Sequence, residues 1–158
     1  MNKTIKTIII IISVISAILL FILAIGGFIF LVIKNVDKQG NKEFYTIGND
    51  TFPSITSVVG KRKTSSISTI KKNKITTKSY TYTDIKNIQS DLDQYITELK
   101  SNNFLTTSKI DLNKTKDTFS LAKVSNDNDY IIVVNITYDL GTYTIEIKKG
   151  IGSLTQFE

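Results

Sequence analysis

The sequence predicts an α+β fold: an N-terminal single transmembrane helix, then a small two-layer domain in which one amphipathic helix packs on a mostly antiparallel sheet. The expected order after the membrane segment is β-β-α-β-β-β. Three observations lead there. Residues 7–33 form a run of 27 without a charge. Between 83 and 102, apolar residues recur at steps of three and four, the period of one helix face. On both sides of that stretch, apolar and polar residues alternate in short runs bounded by turn formers, as in strands with one buried face.

The uncharged run is bounded by Thr7 and Ile33 and, from Ile8 on, is mostly Ile, Leu, Val, Phe and Ala. At ~1.5 Å per residue it reaches about 40 Å, more than the roughly 30 Å of bilayer hydrocarbon. In lipid only a helix satisfies its own backbone polar groups, so even an Ile-rich stretch is expected to be helical. A signal-peptide core is about 7–15 residues. This run is nearly twice that, and Gly26-Gly27 is followed by six further apolar residues. An uncleaved signal-anchor is therefore expected, after a basic tail (residues 1–6) carrying Lys3 and Lys6. Lysines near the two ends nearly balance; the short tail favours the N-terminus on the cytoplasmic side of the cell membrane and an extracytoplasmic C-terminal domain. Ser13, Ala17, Ala24 and Gly27 share one helix face, which would let two such helices pack closely as a homodimer.

Residues 34–48 read as a polar stalk, and 49–158 as the soluble domain. Residues 52–59 suggest a short strand. Residues 65–70 and 75–82 flank Lys71-Lys72-Asn73-Lys74, a hairpin with a basic tip. The helical stripe is Ile85, Ile88, Leu92, Tyr95, Ile96 and Leu99, with Asp91, Asp93, Glu98 and Lys100 expected to face away. Thr83 is a candidate cap and Ser90 an alternative start. Asn102-Asn103 is a stop, since Asn tolerates the left-handed conformation. A meander follows: a strand over 118–125, a turn at Asn126-Asp127-Asn128-Asp129, then Tyr130 to Tyr138 and Tyr143 to Ile147 joined through Asp139-Leu140-Gly141.

The alphabet excludes much chemistry. There is no Cys and no His, so thiol nucleophiles, imidazole bases and the usual zinc ligands are absent. No glycine-rich phosphate loop occurs. Asp111, Asn113, Thr115 and Asp117 alternate as in a calcium loop, but Lys116 and Ala122 stand where Gly and Glu belong. Ser68/Lys71 and Ser120/Lys123 have Ser-x-x-K spacing, at a frequency chance supplies. No catalytic, cofactor-binding or metal residue is assigned, and no cofactor is expected.

Charge is uneven. Residues 34–83 carry a net +7 and residues 84–158 a net −3. Lys61, Arg62, Lys63, Lys71, Lys72, Lys74 and Lys78 form a basic run without an acid. Its functional reading is contact with an anionic surface, and its plain reading is solvated strand faces and edge-strand lysines. One Arg and no interleaved aromatics argue against nucleic acid. The tyrosines either bridge core and rim or line a groove. The expected function is a non-enzymatic envelope binding module in the bilayer, with an envelope protein or anionic polymer as partner. A membrane-complex subunit or a carboxylate-only enzyme is the alternative.

Overall fold

The computed structural model describes residues 3–154. The chain divides into two compact units, residues 1–35 and 36–158. Helix α1 (Lys3–Gly40) runs through the first and ends in the second. Its stretch Leu20–Gly40 is long and apolar enough to cross a membrane, with a mean hydropathy of 2.0. Ala24, Gly27 and Ile33 are exposed on it. A Cβ on Gly27 would meet nothing within 4 Å. Thr7, Ile8, Ser13 and Ala17 lie on the same helix, but their side chains are outside those described.

The second unit is α+β. A six-stranded antiparallel sheet has the order β3-β4-β8-β7-β6-β5, built from β3 (Lys63–Lys72), β4 (Ile75–Thr83), β5 (Leu105–Thr106), β6 (Asp117–Val124), β7 (Tyr130–Asp139) and β8 (Thr142–Ile151). A separate hairpin joins β1 (Phe44–Ile47) to β2 (Asp50–Pro53). Helices α2 (Ile55–Val59) and α3 (Ile88–Ser101) complete the unit. The meander joins the β3–β4 hairpin in one open sheet because β8 pairs with β4, from Tyr143 opposite Tyr82 to Lys149 opposite Thr76.

Alternation decides the sheet faces. Tyr80 and Tyr82, Tyr143, Ile145 and Ile147, Ile132, Val134 and Ile136, and Phe119 and Leu121 are buried in one core with the α3 stripe. The opposite face carries Thr and Ser. Thr81 and Thr144 share a hydrogen bond of 3.0 Å, as do Thr118 and Thr137. Tyr80, Tyr82, Tyr95, Tyr138 and Tyr143 are all core residues.

Three local departures from expectation have physical causes. Residues 52–59 are not one strand: the Ser54 hydroxyl accepts from Ser57 N–H at 3.1 Å and starts a helix that Gly60, at φ +82°, ends. Helix α3 starts at Ile88, with Asn87 in the N-cap position but without a side-chain cap, rather than at Thr83 or Ser90. β4 runs through Thr83, Asp84 turns at φ +60°, and Ile85 N–H donates to Gly141 O at 3.0 Å, which holds that segment on the β7–β8 turn. Asp91, expected outward, is buried. Within residues 34–48, read as a polar stalk, helix continues to Gly40 and β1 starts at Phe44.

The last turn of α1 is held in the second unit by hydrogen bonds. Tyr82 Oη donates to Gly40 O at 2.8 Å and meets Tyr45 Oη at 2.9 Å. Thr64 N–H donates to the Asp37 carboxylate at 2.8 Å. Asn41 pairs with the Arg62 backbone twice, its Nδ2 donating to Arg62 O and its Oδ1 accepting from Arg62 N–H, both at 2.8 Å. Gly40 is required by space, since a Cβ there would lie 2.1 Å from Thr64 Oγ1.

We predict that Asn41→Ala costs about 1–3 kcal/mol, the usual loss when such groups go unpaired. Gly40→Val should cost at least as much through overlap. Urea midpoints followed by tyrosine near-ultraviolet circular dichroism check both, and unchanged midpoints would remove this junction from the fold.

Candidate functional site

The structure splits the basic run into two groups. β3 pairs with β4 from Lys63 opposite Thr83 to Lys72 opposite Ile75. At about 3.3 Å per residue, the two ends of this hairpin lie roughly 30 Å apart. The turn residues Asn73 and Lys74 sit at φ +49° and +63°. Both are left-handed, as the tight hairpin turn compatible with strand twist requires.

At the open end the charges are mostly compensated. Arg62, the only arginine, forms a two-point ion pair with Asp91, Nε to Oδ2 and Nη2 to Oδ1 at 2.7 Å each. Tyr143 Oη donates to Asp91 Oδ2 at 3.3 Å. Lys63 pairs with Asp84 at 2.7 Å, and Lys61 is exposed. A cleft of about 490 Å³ lies here, with Lys61, Lys86, Asp84 and Asp91 among its lining residues. Burial and the Asp91 charge push the Tyr143 phenol far above its ordinary value, and it stays a neutral donor.

At the tip the charges are uncompensated. Lys71, Lys72 and Lys74 are exposed. Lys78 is half-buried and donates to Thr46 O at 2.6 Å. Burial lowers its ammonium pKa first, and the positive charges of Lys42 and Lys71 lower it further. Among the described residues, none of Lys42, Lys71, Lys72, Lys74 or Lys78 is in an ion pair. The site is therefore a row of lysines running from the hairpin tip back to Lys78, with Lys42 beside it. It gains Lys42, which sequence spacing did not connect to the run, and loses Arg62 and Lys63 to structural pairs. The missing signal was the end of α1: two residues after Gly40, Lys42 enters the β1 approach.

Beside the tip, Lys149 is buried but fully partnered. Its ammonium contacts both Asp50 and Asp127. Asp50, with 0% exposure, also accepts from Ser125 Oγ at 2.6 Å and Asn126 N–H at 2.7 Å. Asn49 donates to Asp127 at 2.8 Å. The turn at 126–129 is thus fixed by an ion triad. Burial pushes the Asp50 carboxyl up, but these donors outweigh it and hold it below its ordinary range. Burial pushes Lys149 down, and its two carboxylates more than reverse that.

These directions fix a pH window. The Asp50 contribution is present above the unfolded carboxyl value of 3.8 and is lost as pH falls through the lower folded value. The Lys149 contribution is present below 10.5 and is lost as pH rises through the higher folded value. Asp50→Asn leaves Lys149 with one carboxylate, and a cost of about 3–5 kcal/mol is expected for a broken buried pair. Thermal melts across pH should show the variant's deficit shrinking below about pH 4; a constant deficit would contradict the assignment.

Comparison with protein families, with characterised proteins and with solved structures finds no match to this chain.

Proposed function

We propose that this chain is a non-enzymatic binding module held in the cell membrane by a single signal-anchor helix. Its N-terminus is cytoplasmic, its head is extracytoplasmic, and the head binds an anionic surface polymer through Lys42, Lys71, Lys72, Lys74 and Lys78. The observation that carries this reading is the charge sorting. Arginine and the buried lysine are used up in pairs within the fold, whereas Lys71, Lys72 and Lys74 at the hairpin tip, and Lys78 and Lys42 behind it, have no carboxylate partner among the described residues. Uncompensated cations along a rigid sheet attract polyanions and keep them by many weak, salt-sensitive contacts. The lowered Lys78 value fits, because an arriving anion relieves the repulsion among the three ammonium groups.

The carboxylate-enzyme alternative is less well supported. A general acid needs a raised carboxyl value. Asp50 and Asp127, the carboxylates that converge on Lys149, are both held low, Asp127 chiefly by its Lys149 hydrogen bond.

The test uses the full chain in lipid nanodiscs and a polyphosphate probe. At about 1 kcal/mol per lysine, the triple variant Lys71→Glu, Lys72→Glu, Lys74→Glu should lose on the order of a hundredfold in affinity. Lys100→Glu, on α3, should change little. Wild-type binding should weaken steeply with salt. Equal binding by the triple variant and the wild type would overturn the proposal.

A further inference from the structure

A second cation stands out at the opposite margin of the sheet, where β6 meets the two-residue edge strand β5. Lys123 is half-buried, with its Nζ 5.0 Å from the Phe104 ring centroid and 5.5 Å from that of Phe52. Among the described residues it has no carboxylate in ion-pair contact. The Asp50 charge acts on it, but the Asp50 oxygens are taken by Ser125, Asn126 and Lys149. Burial pushes the Lys123 ammonium down, as expected for a cation that has lost water without gaining a counter-ion. Aromatic faces offset part of that loss and hold the ammonium in place.

Lys123 lines a cavity of about 370 Å³, together with Asn103, Asn126, Leu105, Val124 and Leu154. The Asn103 and Asn126 side-chain amides are exposed and make no hydrogen bond among the described residues. Leu105 and Val124 are 46% and 64% exposed, an apolar wall in water. The cavity is at the small end of the roughly 300–1,000 Å³ typical of ligand sites.

We propose that this cavity binds a small amphipathic carboxylate: the carboxylate takes the Lys123 ammonium and the free amides, and a short aliphatic body covers Leu105, Val124 and Leu154. One ammonium with neutral amide donors matches a single negative charge, and the apolar wall selects an acid with a hydrocarbon tail over inorganic anions. The site lies apart from the lysine cluster and does not depend on the polymer reading.

The test is titration of pentanoate into the full chain in lipid nanodiscs, followed by amide and lysine side-chain NMR shifts. Saturable shifts centred on Lys123 and Val124 are expected, with pentan-1-ol failing to reproduce them. Lys123→Met should weaken binding about tenfold or more, the scale of a lost charge-assisted contact, whereas Lys123→Arg keeps most of it. Lys71→Glu should leave pentanoate binding unchanged. Non-saturable shifts with pentanoate, equal shifts with pentan-1-ol, or undiminished binding by a folded Lys123→Met would each overturn the proposal. If Lys123→Met fails to fold, the acid-against-alcohol comparison on the wild type decides.

Discussion

The hydrogen bond from Tyr82 to the carbonyl of Gly40 is the constraint on which the rest depends. The last carbonyls of a helix have no partner within it. Here one of them is satisfied by a buried tyrosine from the central sheet, and that tyrosine is itself bonded to Tyr45 of β1. The end of the apolar helix is therefore a packed part of the α+β unit. Only glycine allows this approach, because any Cβ would overlap Thr64. Asn41 and Asp37 then satisfy backbone groups of Arg62 and Thr64, at the start of β3. One short segment thereby fixes the β1 approach, places Lys42 near Lys78, and starts the hairpin that carries the basic tip.

Charge is divided according to the cost of burial. Arginine, with its planar fork, joins the residue before β3 to Asp91 of α3, where a two-point pair is geometrically possible. Lys149 reaches beneath the β1–β2 turn and is matched by two carboxylates and their hydrogen-bonded turn. No buried side-chain polar atom is left without a partner among the described residues. Against that background, the lysines without acids stand out as the groups available to something outside the chain.

Much of the architecture was legible in the residues. Absence of charge marked the apolar helix, three-and-four spacing marked α3, and alternation marked β3, β4, β6, β7 and β8. The losses came where local chemistry overrides periodicity. β1 is four residues long, too short for alternation to be distinctive. α2 arises from a serine cap on a β-branched stretch that reads as strand. Asp91 was placed on the wrong face because periodicity assumes that a carboxylate seeks water, whereas this one meets Arg62 across a sequence separation no pattern reveals. The candidate site was half legible: the basic run was visible, but which lysines are free and that Lys42 joins them depended on the fold.

The most direct test of the central claim compares two fragments, one spanning residues 36–154 and one spanning residues 49–154. If the end of the apolar helix and β1 belong to the core, the longer fragment unfolds in one cooperative thermal transition with native tyrosine dichroism, and the shorter one shows none. A shorter fragment that melts as cooperatively as the longer one would contradict the account.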